Sequence, residues 1–222
     1  MTKTTHLPRI AMTVAVAVAV ATLLALLWPT LSAEAAPRRG TKTFENGNII
    51  RIPAEQMSGG TLGKADPWPS TIDVRGFKRV TDLNVTIRFA NHSHPDDLDL
   101  LLVGPTGATA ILWSDAGGTN AITGTTLTLD DEGQTFLPDS GQISAQTYKT
   151  SNYQVGEDNW PDAPQENGSR VLTTFDGTNP TGKWELYVYD DTQQPDTGDR
   201  NGSGTFANGW ALEPCASERR EA

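Results

Sequence analysis

Histidine, cysteine and paired carboxylates are the side chains that could carry chemistry in this 222-residue chain, and they are scarce or clustered. There are three histidines, His6, His92 and His94, and one cysteine, Cys215. His92-Ser93-His94-Pro95-Asp96-Asp97 approaches a His-x-His-x-Asp-His zinc motif. Zinc catalysis needs at least three good ligands and an open coordination position. Asp97 stands where the last histidine would be and no histidine follows it, so a turn between strands is the favoured reading. A hydrolase using His92, His94 and nearby carboxylates is kept as a rival. A serine triad would have to recruit the same two histidines, and no strand-turn-helix elbow surrounds any serine. Asp139-Ser140-Gly141 and Asp196-Thr197-Gly198 have the composition of loops used in two-carboxylate catalysis. That chemistry needs the two carboxyls about 3 Å apart on loops rooted in apolar strands. Here each Asp follows a proline in a polar run, which reads as a turn.

Calcium is the stronger chemical expectation. It takes six to eight oxygens, and Asp and Asn side chains on turns supply them. Asp97 and Asp99 lie two apart on an expected strand, and so should share a face, roughly 7 Å apart by strand rise. Asp190 and Asp191 end another expected strand, and Asp115 precedes a glycine turn. Around Asp199, the run Thr197 to Gly202 matches an EF-hand loop at Asp199, Asn201 and Gly202. It misses the first position, Thr197, and the twelfth, Asn208, so it is not an EF-hand. The candidate ligands of a structural calcium are therefore Asp97, Asp99, Asp115, Asp190, Asp191 and Asp199, with a solvated acidic face as the alternative. Among the aromatics, Trp113, Trp184 and Trp210 sit in strand-like runs and are expected in the core. Trp68 and Trp160 lie among prolines in loops, which leaves a carbohydrate-binding sandwich as a further rival.

The chain that must position these groups begins with an export segment. Lys3 and Arg9 precede an apolar run from Ile10 to Trp28, Pro29 ends it, and Ala33-Glu34-Ala35 supplies a small-x-small cleavage pattern. Residues 1–35 therefore read as a secretory signal peptide, which makes the rest a secreted, extracellular chain. An uncleaved anchor is the rival, since such a run could just span a bilayer; no second apolar run follows. Formal net charge is −10, and it is unevenly placed. Residues 37–89 hold nine basic and five acidic side chains, whereas residues 90–200 hold four basic and eighteen acidic ones. That balance excludes a nucleic-acid partner, whose phosphates demand clustered Lys and Arg. With one cysteine no intramolecular disulfide can form, and Cys215 is either free or available for intermolecular pairing.

From Phe44 onward there is no helical periodicity. Leu83, Val85, Ile87 and Phe89 alternate with polar residues, the period-2 mark of a half-buried strand. Asp97–Val103, Ala108–Trp113, Thr125–Leu129, Val171–Phe175, Trp184–Tyr189 and Gly209–Leu212 read as further strands, separated by Gly and Asx turns. About eight strands without helices predict an all-β fold, a jelly-roll β-sandwich in a single domain over residues 44–214. Residues 36–43 read as a linker and 215–222 as a polar tail. Residues 131–168, polar and without period, are expected to be a surface excursion.

Four segments in order carry a family resemblance. They are Val85-Thr86-Ile87 leading through His94 to Asp97-Leu98-Asp99-Leu100-Leu101-Leu102; Gly104-Pro105-Thr106-Gly107 followed by Ile111-Leu112; Gly182-Lys183-Trp184-Glu185-Leu186 with Asp190; and Gly209-Trp210-Ala211-Leu212. Over about Phe44 to Pro214 the chain resembles the P domain, or P/Homo B domain, that follows the catalytic domain of subtilisin-like proprotein convertases. The resemblance implies a jelly-roll sandwich and association with serine endopeptidases and proteolysis, the P domain stabilising its catalytic domain. No catalytic domain fits between Ala36 and the first family-like strand, so what would transfer is the fold and a calcium site, not peptidase activity. The expected function is a secreted, non-catalytic P-domain-like module that binds or stabilises a protein partner, a protease in trans being one candidate.

Overall fold

In a computed structural model, residues 39–53, 63–154, 158, 160–191 and 203–218 are described. The signal segment 1–35, Asp196 and Asp199 lie outside these residues. The strands, in chain order, are β1 (Arg39–Thr41), β2 (Phe44–Asn46), β3 (Ile50–Ile52), β4 (Gly63–Lys64), β5 (Ser70–Val74), β6 (Phe77–His92), β7 (Leu98–Val103) and β8 (Thr109–Ser114). They continue as β9 (Ile122–Leu129), β10 (Thr135–Phe136), β11 (Thr147–Lys149), β12 (Ser151–Asn152), β13 (Gly182–Asp190), β14 (Gly204–Phe206) and β15 (Trp210–Glu218). One sheet runs β1-β15-β6-β9-β11-β10, with β2, β3 and β14 joined to its side; the other runs β12-β8-β7-β13-β4, with β5 on β13. Among the described residues no helix is long and apolar enough to cross a membrane.

The expected all-β sandwich is what forms, and its core follows strand parity. On β6, Val80, Leu83, Val85 and Ile87 are buried, and they meet Leu98, Leu100 and Leu102 of β7 and Leu186 and Val188 of β13 in one cluster. The three tryptophans expected inside are each fully buried. Each indole N–H is satisfied, from Trp113 to the carbonyls of Pro95 and Ala116, from Trp184 to the carbonyl of Pro180, and from Trp210 to Ser70 Oγ. Burial of Trp side chains of this size stabilises strongly, and the satisfied N–H removes the desolvation cost. Gly209 has φ +61, and a Cβ there would lie 1.9 Å from the Asn46 carbonyl oxygen, so no other residue fits before Trp210.

Every residue of β7 and β8 is buried, which explains their dense apolar sequence. The outer face of this sheet carries a second cluster, Leu101, Val103, Ile111 and Tyr187, covered by Trp68, Trp160 and Ala163. Trp68 stands edge-on to Tyr187 at 5.0 Å between ring centroids.

Several expectations are corrected. Asp97 is not on the strand: it ends a 3₁₀ turn at Pro95–Asp97, whose Pro95 cannot donate to a ladder. Val171–Phe175 is not a strand either but encloses a 3₁₀ turn, Leu172–Phe175, whose two buried residues are three apart and so face the core together. The Asp131 carboxylate accepts from the N–H groups of Leu172 and Thr173 at 3.0 and 2.7 Å, a local alternative to sheet pairing. Pairing extends beyond 44–214 at both ends: β1 takes residues 39–41 from the supposed linker, and β15 runs through Cys215 to Glu218. Ala216, fully buried, anchors that extension. Among the described residues fifteen strands replace about eight, because many pieces of two or three residues pair only locally. The excursion 131–168 is pinned by Leu137, Ile143 and Tyr148 in the core and by β11, which runs parallel to β9.

Candidate cation site

β7, β8 and β13 finish at one end of the six-stranded sheet, and alternation there distributes the acidic residues between two faces. Asp190 is paired with Leu98 and Tyr189 with Asp99. Leu98 lies in the inter-sheet core, so Asp190 points inward; Asp99 shares parity with Leu101 and Val103 and points outward. Across β7 and β8 the register shifts between Leu100 and Leu101, setting Trp113 opposite Leu100 and hence inside. The shift carries the next residue, Ser114, to the outer face, against Asp99. Asp97 and Asp99, expected on one face, are thus in different groups.

Inward lies a histidine pair. His92 ends β6 in the opposite sheet, and its Nε2 stands 3.2 Å from Asp190 Oδ2, with both side chains inaccessible to solvent. Nδ1 lies 2.7 Å from the His94 carbonyl oxygen and 3.3 Å from the His94 backbone nitrogen. Gly204 permits this approach, because a Cβ there would lie 2.4 Å from the imidazole. Burial raises Asp190 to about 6 against the opposing effect of His92, and raises Asp97 to about 7, with the Asp190 charge adding to it. The imidazole bridges two sheets and is shut away from any substrate, so the His92/His94 hydrolase has no accessible base at His92. His94 Nδ1 lies 3.2 Å from Ser93 Oγ.

Outward lies an oxygen-rich group. Carboxylate oxygens of Asp99, Asp115 and Asp158 all fall within 4.8 Å of one another. Both Asp99 oxygens are buried without a hydrogen bond of ordinary geometry, the neighbouring Ser114 hydroxyl only partly opposing the effect of burial, and Asn152 Oδ1 has no partner either. The Ser114 hydroxyl reaches Asp115 Oδ2 at 2.8 Å and also Asp158, but has one proton to donate. Asn152 Nδ2 donates to Asp158 Oδ2 at 2.8 Å, and Gln154 Nε2 to Asp115 Oδ1 at 3.0 Å. None of Asp99, Asp115 and Asp158 forms an ion pair with Lys, Arg or His among the described residues. Burial, followed by the charge of Asp191, pushes Asp99 up to about 8, and burial raises Asp115 as well. Asp115 holds φ +51, a left-handed conformation that Asp tolerates better than most residues.

Hard, flexible oxygen coordination of this kind fits calcium: three carboxylates converge, and among the described residues no nitrogen or sulfur donor enters the set. Of the six sequence candidates, the structure brings Asp99 and Asp115 together with Asp191 electrostatically close, and places Asp97 and Asp190 in the histidine group. Asp158 and Asn152 were missed by sequence reasoning, because they lie in the aperiodic segment; the run Asn152 to Asp158 offered only composition as a signal. A second acidic group, Asp82, Asp130 and Glu132, faces solvent. Trp68 and Trp160, the glycan candidates, instead cover the outer cluster, Trp160 donating to the Asp99 carbonyl at 3.4 Å.

Fold and site together define an all-β sandwich of two sheets with a buried, oxygen-rich acidic centre at one sheet end. The sequence matches no family model and no curated protein at a significant level. Among solved structures, the serine protease of Aeromonas sobria in complex with the chaperone is similar at TM-score 0.40 and 16% identity, over 90% of this chain and 29% of that one. The serine protease of Aeromonas sobria solved separately is similar at TM-score 0.38 and 16% identity, over 84% of this chain and 29% of the other. The chain thus spans less than a third of the length of these structures, and a likeness of that size assigns no function.

Proposed function

We propose that this chain is an exported, non-catalytic P-domain-like module that is stabilised by calcium and binds a protein partner, a serine endopeptidase acting in trans being the partner its family resemblance indicates. The observation that carries the reading is Asp99, a buried carboxylate whose two oxygens lack hydrogen bonds of ordinary geometry inside a group of acids. A buried anion without a partner costs several kcal/mol, and a divalent cation shared by Asp99, Asp115 and Asp158 would offset that cost. Export is supported by Lys3, Arg9, the apolar run and Ala33-Glu34-Ala35, and calcium is abundant outside cells. Partner binding is supported by the four resembling segments, whose Trp184, Gly209 and Trp210 serve the sandwich core.

The test has two arms. Calcium added to EDTA-treated protein should raise the melting temperature, magnesium should do so less, and Asp99→Asn should abolish the calcium effect. An unchanged melting temperature at millimolar calcium overturns the metal reading. The partner arm measures the thermal half-life of a subtilisin-type endopeptidase with and without the module; an unchanged half-life, with no complex in sedimentation, overturns that partner.

A further inference from the structure

Four large hydrophobic side chains are well exposed among the described residues: Phe136 at 61%, Phe89 at 50%, Val171 at 48% and Tyr153 at 41%. Three of them, Phe136, Tyr153 and Val171, line one open pocket of about 360 Å³ together with Arg170 and the β12 residues Ser151 and Asn152. Scattered apolar residues on a surface are ordinary, but three converging on a concavity of ligand size are the mark of an interaction site.

Charge distinguishes this pocket from the rest of its region. Residues 90–200 contain only Lys149, Arg170, Lys183 and Arg200 against eighteen acids. Two of those four meet here, Arg170 on the pocket wall and Lys149, whose Nζ lies 5.7 Å from the centroid of the Phe136 ring. Lys183 pairs with Glu185 at 3.0 Å, whereas neither Lys149 nor Arg170 has a carboxylate within ion-pair distance among the described residues. Unpaired cations that flank an apolar pocket within an acidic half complement an anionic partner. Among the described residues β10, which carries Phe136, is the last strand of its sheet and has no neighbouring strand on its outer edge. Such an edge can accept an extended chain.

We infer that the pocket between Phe136, Tyr153, Val171 and Arg170 binds an extended, acidic segment of a partner protein: an aliphatic or aromatic side chain enters the pocket, and flanking carboxylates meet Arg170 and Lys149. The inference rests on the partner-binding reading above, and its test is read separately from the calcium response. Tyr153 is held in place by its hydroxyl donating to the Leu137 carbonyl at 2.6 Å.

Fluorescence anisotropy tests it with a labelled peptide of alternating glutamate and leucine, and a control in which lysine replaces glutamate. The acidic peptide should bind and the lysine peptide should not. Arg170→Glu combined with Lys149→Glu should weaken binding at least about tenfold, and Phe136→Ala about as much, the latter without altering the salt dependence. Phe136 is exposed and Lys149 and Arg170 are half-buried, and an unchanged melting temperature confirms that each variant folds. Equal binding of both peptides, no binding by the wild type, or binding untouched by the charge reversal overturns the inference. So does self-association that Phe136→Ala abolishes, because the occupant is then a second copy. Absence of peptide binding in a protein that still responds to calcium and stabilises the endopeptidase removes this inference alone.

Discussion

Two groups of buried carboxylates occupy the same end of the six-stranded sheet, one strand residue apart and on opposite faces. Inside, Asp190 has His92 at 3.2 Å, a basic side chain contributed by the other sheet. Outside, Asp115 and Asp158 have neutral donors, Ser114, Asn152 and Gln154, and among the described residues Asp99, Asp115 and Asp158 have no basic side chain in ion-pair contact. A buried carboxylate must be neutralised by a proton, a basic side chain or a metal. The inner group uses an imidazole and works as a clamp between sheets. The outer group leaves the choice to proton or metal, which makes it the responsive one.

The largest effect should come from breaking the clamp. His92→Leu leaves Asp190 and Asp97 buried without a basic partner, and should cost about 3–5 kcal/mol in urea unfolding. A loss below about 1 kcal/mol would mean that His92 does not neutralise the inner group. The same variant should keep its response to calcium, since His92 takes no part in the outer group; a lost response would merge the two.

Saturating the outer group comes next. Calcium at a hundredfold excess over its dissociation constant should stabilise by about 2.7 kcal/mol, on the order of 5–10 °C in melting temperature for a domain of this size. Asp158→Asn should remove most of that rise, a direct check on a ligand absent from the sequence candidates.

Acidity separates the groups further. Asp99 is raised to about 8 in the folded protein, against about 3.9 unfolded. Between those values the folded state binds the extra proton, so stability in EDTA should be full near pH 4 and fall as pH rises toward 8. Asp97, at about 7, and Asp190, at about 6, act with the same sign over narrower ranges. Calcium competes with the proton at Asp99, and should flatten the melting-temperature profile between pH 6 and 8. A metal-free protein more stable at pH 8 than at pH 5 would contradict this ordering. The smallest effect is expected for Asp99→Asn in EDTA at neutral pH, which removes the need to protonate a buried carboxyl on folding and should stabilise by chemical denaturation, by at least about 1 kcal/mol.

Much of the sandwich was legible from local pattern. Alternation from Leu83 to Phe89 marks β6, the dense apolar runs mark β7 and β8, and Trp113, Trp184 and Trp210 lie in the core as their strand settings imply. Val171–Phe175 misled because its turn is capped by Asp131, some forty residues earlier. Residues 39–41 and 215–218 misled because edge pairing satisfies backbone groups whatever the side chains. Within the candidate site, Asp99 and Asp115 could be nominated from composition, whereas Asn152 lies on β12, a two-residue strand with no periodic signature, and Asp158 lies in a run without period.

Side-chain alternation is a local property, so sequence alone settled which residues of each strand are apolar, the all-β class, and the concentration of acid after residue 89. Tertiary structure decided which acids meet. A register shift between β7 and β8 turns Trp113 inward and Ser114 outward, a proline-led turn removes Asp97 from the strand, and the opposite sheet supplies His92. Each of these depends on a partner distant in the chain, and period-2 spacing carries no information about the partner.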